Sequence, residues 1–223
     1  MNLTEAIEKR HSVRQYLNKP LENDVIAEIN NEIDRCNAES GLHIQLVTNE
    51  PKAFDSFMAH YGKFSGVTNY IAMIGKKSPN LSEKCGYYGE RLVLKAQQMG
   101  LNTCWVAMTY SKVKNAFVID KGEKLCVIIA VGYGKTQGVP HKSKSIDEVI
   151  KAEGQIPQWF KKGVEAALLA PTAVNQQKFT FELKGSSVSV KAGLGFYTNT
   201  DMGIVKYHFE IGAGKENFKW ADR

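Results

Sequence analysis

Apolar residues along this chain recur in two rhythms, one with the three-to-four residue spacing of a helix and one with the alternation of a strand. Leu3, Ala6, Ile7 and Arg10 fall at helical spacing, with Thr4 to Glu8 supplying a polar outer face. From Gln15 to Pro20 the chain reads as extended, because the residue before a proline is pushed out of the helical region. Val25, Ile26, Ile29 and Ile33 mark a second helix over Asn23 to Cys36, with Asn23 or Asp24 as its N-cap. His43 to Val47 alternates as a half-buried strand does. Pro51 to His60 reads as a short helix with Phe54, Phe57 and Met58 inward, and Tyr70 to Ile74 as a central strand.

Glu83 to Met99 is the longest helical pattern, with Tyr87, Leu92, Leu94, Ala96 and Met99 buried and Gly100 as its stop, and it is expected to be the central core helix. Thr103 to Val106 then reads as a strand, Ser111 as the cap of a helix through Phe117, and Leu125 to Val131 as a strand buried on both faces. Ser145 is placed to cap a short helix to Ala152, and Gly154-Gln155 is the candidate linker. Beyond it the order helix, strand, helix, extended segment returns: Trp159 to Ala170, Lys178 to Leu183 with Ser187 to Lys191 as hairpin partner, Asp201 to Ile211, and Asn217 to Trp220. An internal repeat and a chance alternation of helices and strands both account for that order. The elements predict an α+β fold with a sheet covered on both sides.

Composition narrows the class. The 223 residues are 43% hydrophobic, enough for a sizeable core, and 29 basic residues against 23 acidic give a net charge of +6. That charge suits an anionic ligand but is spread along the chain, so no specific nucleic-acid partner is indicated. Cys36, Cys85, Cys104 and Cys126 have neither metal-site nor C-x-x-C spacing and read as reduced thiols of a cytoplasmic protein; no metal is expected. No leader is visible and no apolar run is long enough to span a membrane.

Candidate chemistry gathers at Arg10-His11-Ser12-Val13-Arg14, where the first helix gives out. In extended chain alternate residues project to one side, so Arg10, Ser12 and Arg14 can converge on one anion. Guanidinium forks match phosphate oxygens in pairs and the hydroxyl adds a donor. A solvated basic turn is the competing reading of so short a motif. His11, His43, His60, His141 and His208 form no close pair in sequence and read as solvent or core residues.

With three further stretches, this motif resembles the FMN-dependent nitroreductase family. The stretches are Ala170-Pro171-Thr172-Ala173-Val174-Asn175-Gln176-Gln177, then Gly100-Leu101-Asn102-Thr103-Cys104-Trp105, and a strand ending Gly132-Tyr133 followed by the basic group His141-Lys142-Ser143-Lys144. The resemblance implies a nitroreductase fold, with a central mixed or antiparallel sheet flanked by helices on both faces. The A-P-T-x-x-N-x-Q stretch comes late, at Ala170, while the early position Asn37 to Leu42 lacks it; Lys178 stands where the family has proline and Asn102 where it has glycine. This order is similar to the fused pseudo-dimer branch, the TM nitroreductase type, with two related halves in one chain at residues 1–153 and 154–223 forming one FMN-binding unit.

The resemblance then implies roles. Arg10 with Lys142 and Lys144 would neutralise the FMN phosphate, Ser12 would donate to phosphate or ribityl, Arg14 would reach the ribityl or the flavin pyrimidine edge, and His11 would join this group. Pro171, Thr172, Ala173 and Asn175 would form the opposite wall. Lys63 would lie near the pyrimidine or be an exposed loop lysine, and the amides of Ala107 or Met108 would face flavin N5. Trp105 is expected in the core rather than on the cofactor. The activity implied is hydride transfer from NADH or NADPH to a small-molecule acceptor, a nitroaromatic, quinone or related compound. A flavin binder without turnover is the alternative. A monomer would be competent, with a homodimer also open.

Overall fold

The structure, a computed structural model, describes residues 1–152 and 154–221. Helix α1 (Leu3–Lys9) is started by a reciprocal cap, in which the Asn2 Oδ1 accepts from the Glu5 amide at 2.9 Å and the Glu5 carboxylate accepts from the Asn2 amide. Helix α2 (Asn23–Ser40) runs four residues past the expected end and stops at Gly41, whose left-handed φ of 70° suits a residue without Cβ. Its N-cap is Glu22, and no side chain caps it there.

Four strands follow in an antiparallel sheet of order β1-β2-β4-β3: β1 (Gln45–Val47), β2 (Tyr70–Lys76), β3 (Asn102–Val106) and β4 (Glu123–Gly132). Their alternating side chains divide between two cores. Ile71, Met73, Val127, Ile129 and Val131 pack under α2 and helix α4 (Leu81–Gln98). Tyr70, Ile128, Ala130, Cys104 and Val106 face the other way, onto Val13, Tyr16, Phe54 and Phe64.

The second part of the chain builds a mixed four-stranded sheet of order β5-β6-β7-β8: β5 (Ile150–Ala152), β6 (Phe179–Lys184), β7 (Ser187–Ala192) and β8 (Lys219–Trp220). Its core is aromatic, with Phe160 of helix α5 (Gln158–Leu168), Phe181, Phe209 and Phe218 in mutual edge and stacked contacts. The α+β class therefore holds, with the strands shared between two sheets.

Helix α6 (Thr198–Ala213) buries residues on every side, Thr200 to Val205 in unbroken succession, so it shares the centre of the fold with α4. The two approach through glycines. A Cβ on Gly86 would collide with the Thr200 carbonyl, and one on Gly203 with the Glu83 carbonyl and the Tyr87 amide.

Several expectations are corrected. Pro51 to His60 forms a 3-10 turn (Lys52–Phe54) and a one-turn helix α3 (Phe57–Tyr61), and Phe57 and Met58 are exposed because so short a helix has no second face to bury. Ser111 to Phe117 is not helical, and after Ser145 a 3-10 turn (Ile146–Glu148) gives way to β5. The expected boundary at residue 153 lies outside the described residues, and adjoining Gly154 has φ 78°. No helix among the described residues is long and apolar enough to cross a membrane.

Candidate functional site

Past α1 the chain turns extended at Arg10 (φ −72°, ψ 119°) and crosses the end of β3, with the Val13 amide donating to the Thr103 carbonyl at 3.0 Å. Val13 goes into the core beneath, which leaves its neighbours in alternation, Arg10, Ser12 and Arg14, toward the other side. All three line one cavity of about 290 Å³ together with His11, His141, Pro171, Thr172 and Asn175. An adjoining cavity of about 130 Å³ shares Ser12, Arg14, Pro171, Thr172 and Val174, and continues past Ala173 over Val106, Ala107, Val127 and Ile204. The pair makes an elongated recess, cationic at one end and apolar at the other, walled by residues from both ends of this one chain.

Behind the cationic end lies a buried charge cluster. Arg10 is 4% exposed, and its Nε has no hydrogen-bond partner; the nearest charge is Glu90 Oε1 at 3.9 Å. Burial lowers the Arg10 pKa while Glu90 opposes that shift. Glu90, fully buried on α4, accepts from Trp105 Nε1 at 2.9 Å and meets His208 Nε2 at 2.8 Å. His208 donates its Nδ1 proton to the Ala166 carbonyl at 3.0 Å, so the contact with Glu90 requires a second proton between ring and carboxylate. Arg10, Glu90 and His208 together thus present net positive charge behind the recess. The Arg10 Nε is a buried donor that faces Glu90 without a hydrogen bond.

The opposite wall is the loop after α5. Val174, Asn175 and Gln177 all have positive φ, of 46°, 53° and 43°, which a β-branched valine rarely adopts. The loop is braced from three directions. Asp201, in the first turn of α6, accepts from the Ala173 amide at 3.0 Å and from Gln176 Nε2 at 2.7 Å. The Lys142 carbonyl accepts from Asn175 Nδ2 and Gln177 Nε2 at 2.9 and 2.8 Å. Lys144 donates its amide to Gln177 Oε1 and its ammonium to the Gln177 carbonyl, both at 2.9 Å. Burial raises Asp201 to about 6, against the pull of the two hydrogen bonds it accepts. His11 is lowered by desolvation first, then by Arg10 and His141.

Of the expected site residues, Arg10, His11, Ser12, Arg14, Ala107, Pro171, Thr172, Ala173 and Asn175 line the recess. Lys63, Met108, Lys142 and Lys144 do not. Lys63 is exposed at the turn after α3 with φ 62°, Met108 points to solvent, exposed Lys142 enters through its backbone carbonyl, and Lys144 is spent on the Gln177 loop. Trp105 both packs between the two main cores and lines the apolar cavity, its indole held by Glu90, so it is not a core residue alone. Nor are the histidines all unpaired, since His11 and His141 share the cationic cavity and His208 pairs with Glu90.

Sequence reading missed Glu90, Tyr197, Asp201 and Ile204. Glu90 carried a signal, an acid in the same helical stripe as Tyr87 and Leu94. Asp201 had only its place in a helix's first turn, and Tyr197 had none.

No curated protein shows significant similarity to the chain. Among solved structures, a "putative nitroreductase" of Thermotoga maritima MSB8 matches with 25% identity and a TM-score of 0.67 over 100% of this chain and 89% of that one. A nitroreductase family protein of Streptococcus pneumoniae TIGR4 shares the fold at 15% identity, TM-score 0.55, over 67% of this chain and 99% of its own. A "putative nitroreductase in complex with fmn" from Desulfovibrio desulfuricans does so at 13% identity, TM-score 0.53, over 70% and 99%. The profile of the family described as "Putative TM nitroreductase" matches residues 2–213. With nearly its whole length matched, and with the motifs of both its ends meeting at one recess, the chain belongs to this nitroreductase family of oxidoreductases.

Proposed function

We propose that the recess binds one FMN per chain and serves an NAD(P)H-dependent reductase of nitroaromatics, quinones or related flat acceptors. The observation that carries this reading is the convergence of Arg10, Ser12 and Arg14 at the cationic end of a recess whose other end is apolar. A ligand with a phosphate at one end and a flat ring at the other fits that polarity. The solved relative with bound FMN supports the choice of ring.

In this reading Arg10, Ser12 and Arg14 hold the phosphate and the polyol chain by charge-assisted hydrogen bonds. Arg10 is pre-positioned by Glu90, so little side-chain entropy is lost on binding. Val106, Ala107, Val127 and Ile204 give the ring an apolar floor that excludes water, and Pro171 and Thr172 close the other side. Asp201 keeps the strained loop in register through Ala173 and Gln176. The two-electron chemistry that FMN supplies when bound is acceptance of hydride from NADH or NADPH and its delivery to the acceptor. No protein nucleophile is needed.

Because the recess is walled by one chain, the two halves at 1–153 and 154–223 act as one unit, a monomer suffices, and a cytoplasmic setting supplies the nucleotide. Titration of the apoprotein with FMN by absorbance is expected to saturate at one flavin per chain, followed by bleaching of the bound flavin on anaerobic addition of NADH or NADPH. Arg10→Ala removes a charged hydrogen bond of about 1.5–3 kcal/mol and weakens FMN roughly ten- to a hundredfold. Mixing the Arg10→Ala and Asn175→Ala proteins tests the assembly, since a site shared between chains would regain tight binding in the mixture. Two flavins per chain, or that recovery, would overturn the intrachain site; binding without bleaching would leave a flavin carrier in place of a reductase.

A further inference from the structure

Cys85 and Cys126 come together through an irregularity in β4. The register of β2 against β4 pairs Met73 with Val127 and then Ile74 with Leu125, so Cys126 is an extra residue with no partner across the ladder. Regular alternation would send Cys126 to the same side as Ile128 and Ala130. The bulge instead turns it to the side of Val127 and Ile129, under α4, while Leu125 packs against the opposite core. There it meets α4 at Cys85, and the Cys85 thiol hydrogen-bonds its sulfur. Ser82, one helical turn before Cys85 on the same face, hydrogen-bonds Cys126 as well.

The two thiols are unequal. Cys85 is fully buried, whereas Cys126 is partly exposed. The hydrogen bond from Cys85 is the first cause that lowers Cys126, to about 7, with Lys124 and Ser82 adding to it and burial opposing. Cys85 is raised by the same bond and by its burial. A thiolate reachable from solvent, beside a buried thiol, is the arrangement in which an oxidised sulfur finds a resolving partner.

We propose that Cys85 and Cys126 form a peroxide-sensitive dithiol that closes to a disulfide tying α4 to β4. The Cys126 thiolate attacks hydrogen peroxide; an S–O bond forms, the O–O bond breaks, and hydroxide leaves to take a proton, giving a sulfenic acid. The Cys85 sulfur then attacks the sulfenic sulfur. An S–S bond forms, the S–O bond breaks, and the oxygen leaves as water with the Cys85 proton. Two thiols are oxidised by two electrons and one peroxide is reduced to two waters. A dithiol reductant reverses the step by exchange. The linkage lies against the recess, since Val127 next to Cys126 lines the apolar cavity and Gly86 next to Cys85 carries the Thr200 contact. It does not depend on what the recess binds.

The test is peptide mapping of the full-length protein after reduction, exposure to hydrogen peroxide and alkylation of the remaining thiols with iodoacetamide under denaturing conditions. The expected result is loss of two of the four alkylatable thiols, a Cys85–Cys126 linked peptide that dithiothreitol removes, and a rate that rises with pH through about 7. Cys85→Ser is expected to leave Cys126 as a sulfenic acid trapped by dimedone, and Cys126→Ser to leave Cys85 alkylatable. Four thiols still alkylatable after peroxide, or oxidation that stops at sulfinic acid on Cys126 in the wild-type chain, would overturn the proposal. The wild-type map decides the matter even if neither variant folds.

Discussion

Replacing Glu90 by Gln keeps the side chain's shape and its acceptor for Trp105 but removes the carboxylate that faces Arg10 at 3.9 Å. Near 4 Å the attraction between unit charges is about 4 kcal/mol at an effective dielectric of about 20. Arg10 cannot recover it from solvent, being almost wholly buried, although the adjacent recess admits some water. Breaking a buried pair from one side costs about 3–5 kcal/mol, and the absence of a direct hydrogen bond places this pair near 3. For a chain of this size 1 kcal/mol corresponds to roughly 2–4 °C, so a fall in melting temperature of about 6–12 °C is expected by calorimetry of the apoprotein.

A surface control is Glu22→Gln, which breaks the exposed Lys19–Glu22 pair and should leave the melting temperature close to that of wild type. Arg10→Met with Glu90→Gln should cost less than the sum of the single changes, because neither variant residue is then a buried unpaired charge. The same Glu90→Gln protein should bind inorganic phosphate and FMN more tightly, since the cationic end of the recess loses its nearest negative charge. A melting temperature within about 2 °C of wild type, equal to the surface control, would refute the idea that Glu90 compensates a buried Arg10 charge.

Asp201 has its folded pKa raised from 3.8 to about 6, so the stability it contributes is present below about pH 4 and is lost as pH rises through 6. The urea stability of wild type relative to Asp201→Asn should therefore fall by on the order of 2–3 kcal/mol between pH 4 and pH 7, and a flat difference would count against burial as the cause. Binding of phosphate or FMN should raise the His11 pKa in an NMR titration, because Arg10, one of the groups that lower it, gains a counter-charge; no shift would place the anion elsewhere. Gly203→Ala must push α6 away from the α4 backbone, and a loss of about 1–3 kcal/mol or more in urea unfolding is expected.

The sequence by itself determined what depends on neighbours along the chain. Periodicity located α1, α2, α4, α5 and α6, and apolar runs located β2 and β4, because each buries one stripe or face whatever lies opposite. It also set Arg10, Ser12 and Arg14 on one side, since alternation in extended chain is a local property. Only the tertiary structure decided what those residues face. Lys142 and Lys144 look like Arg10 in composition, yet the Gln177 loop takes the Lys144 ammonium and leaves Lys142 outside the recess, because hydrogen-bond partners thirty residues away outrank charge. Glu90 reads as one more helical acid until α6 brings His208 against it and the first extended segment brings Arg10. Cys126 would face the opposite core by alternation alone, and one unpaired residue in the β2–β4 register turns it to Cys85. Such choices belong to packing, where the free energy of a side chain is set by burial and by partners that sequence separation does not record.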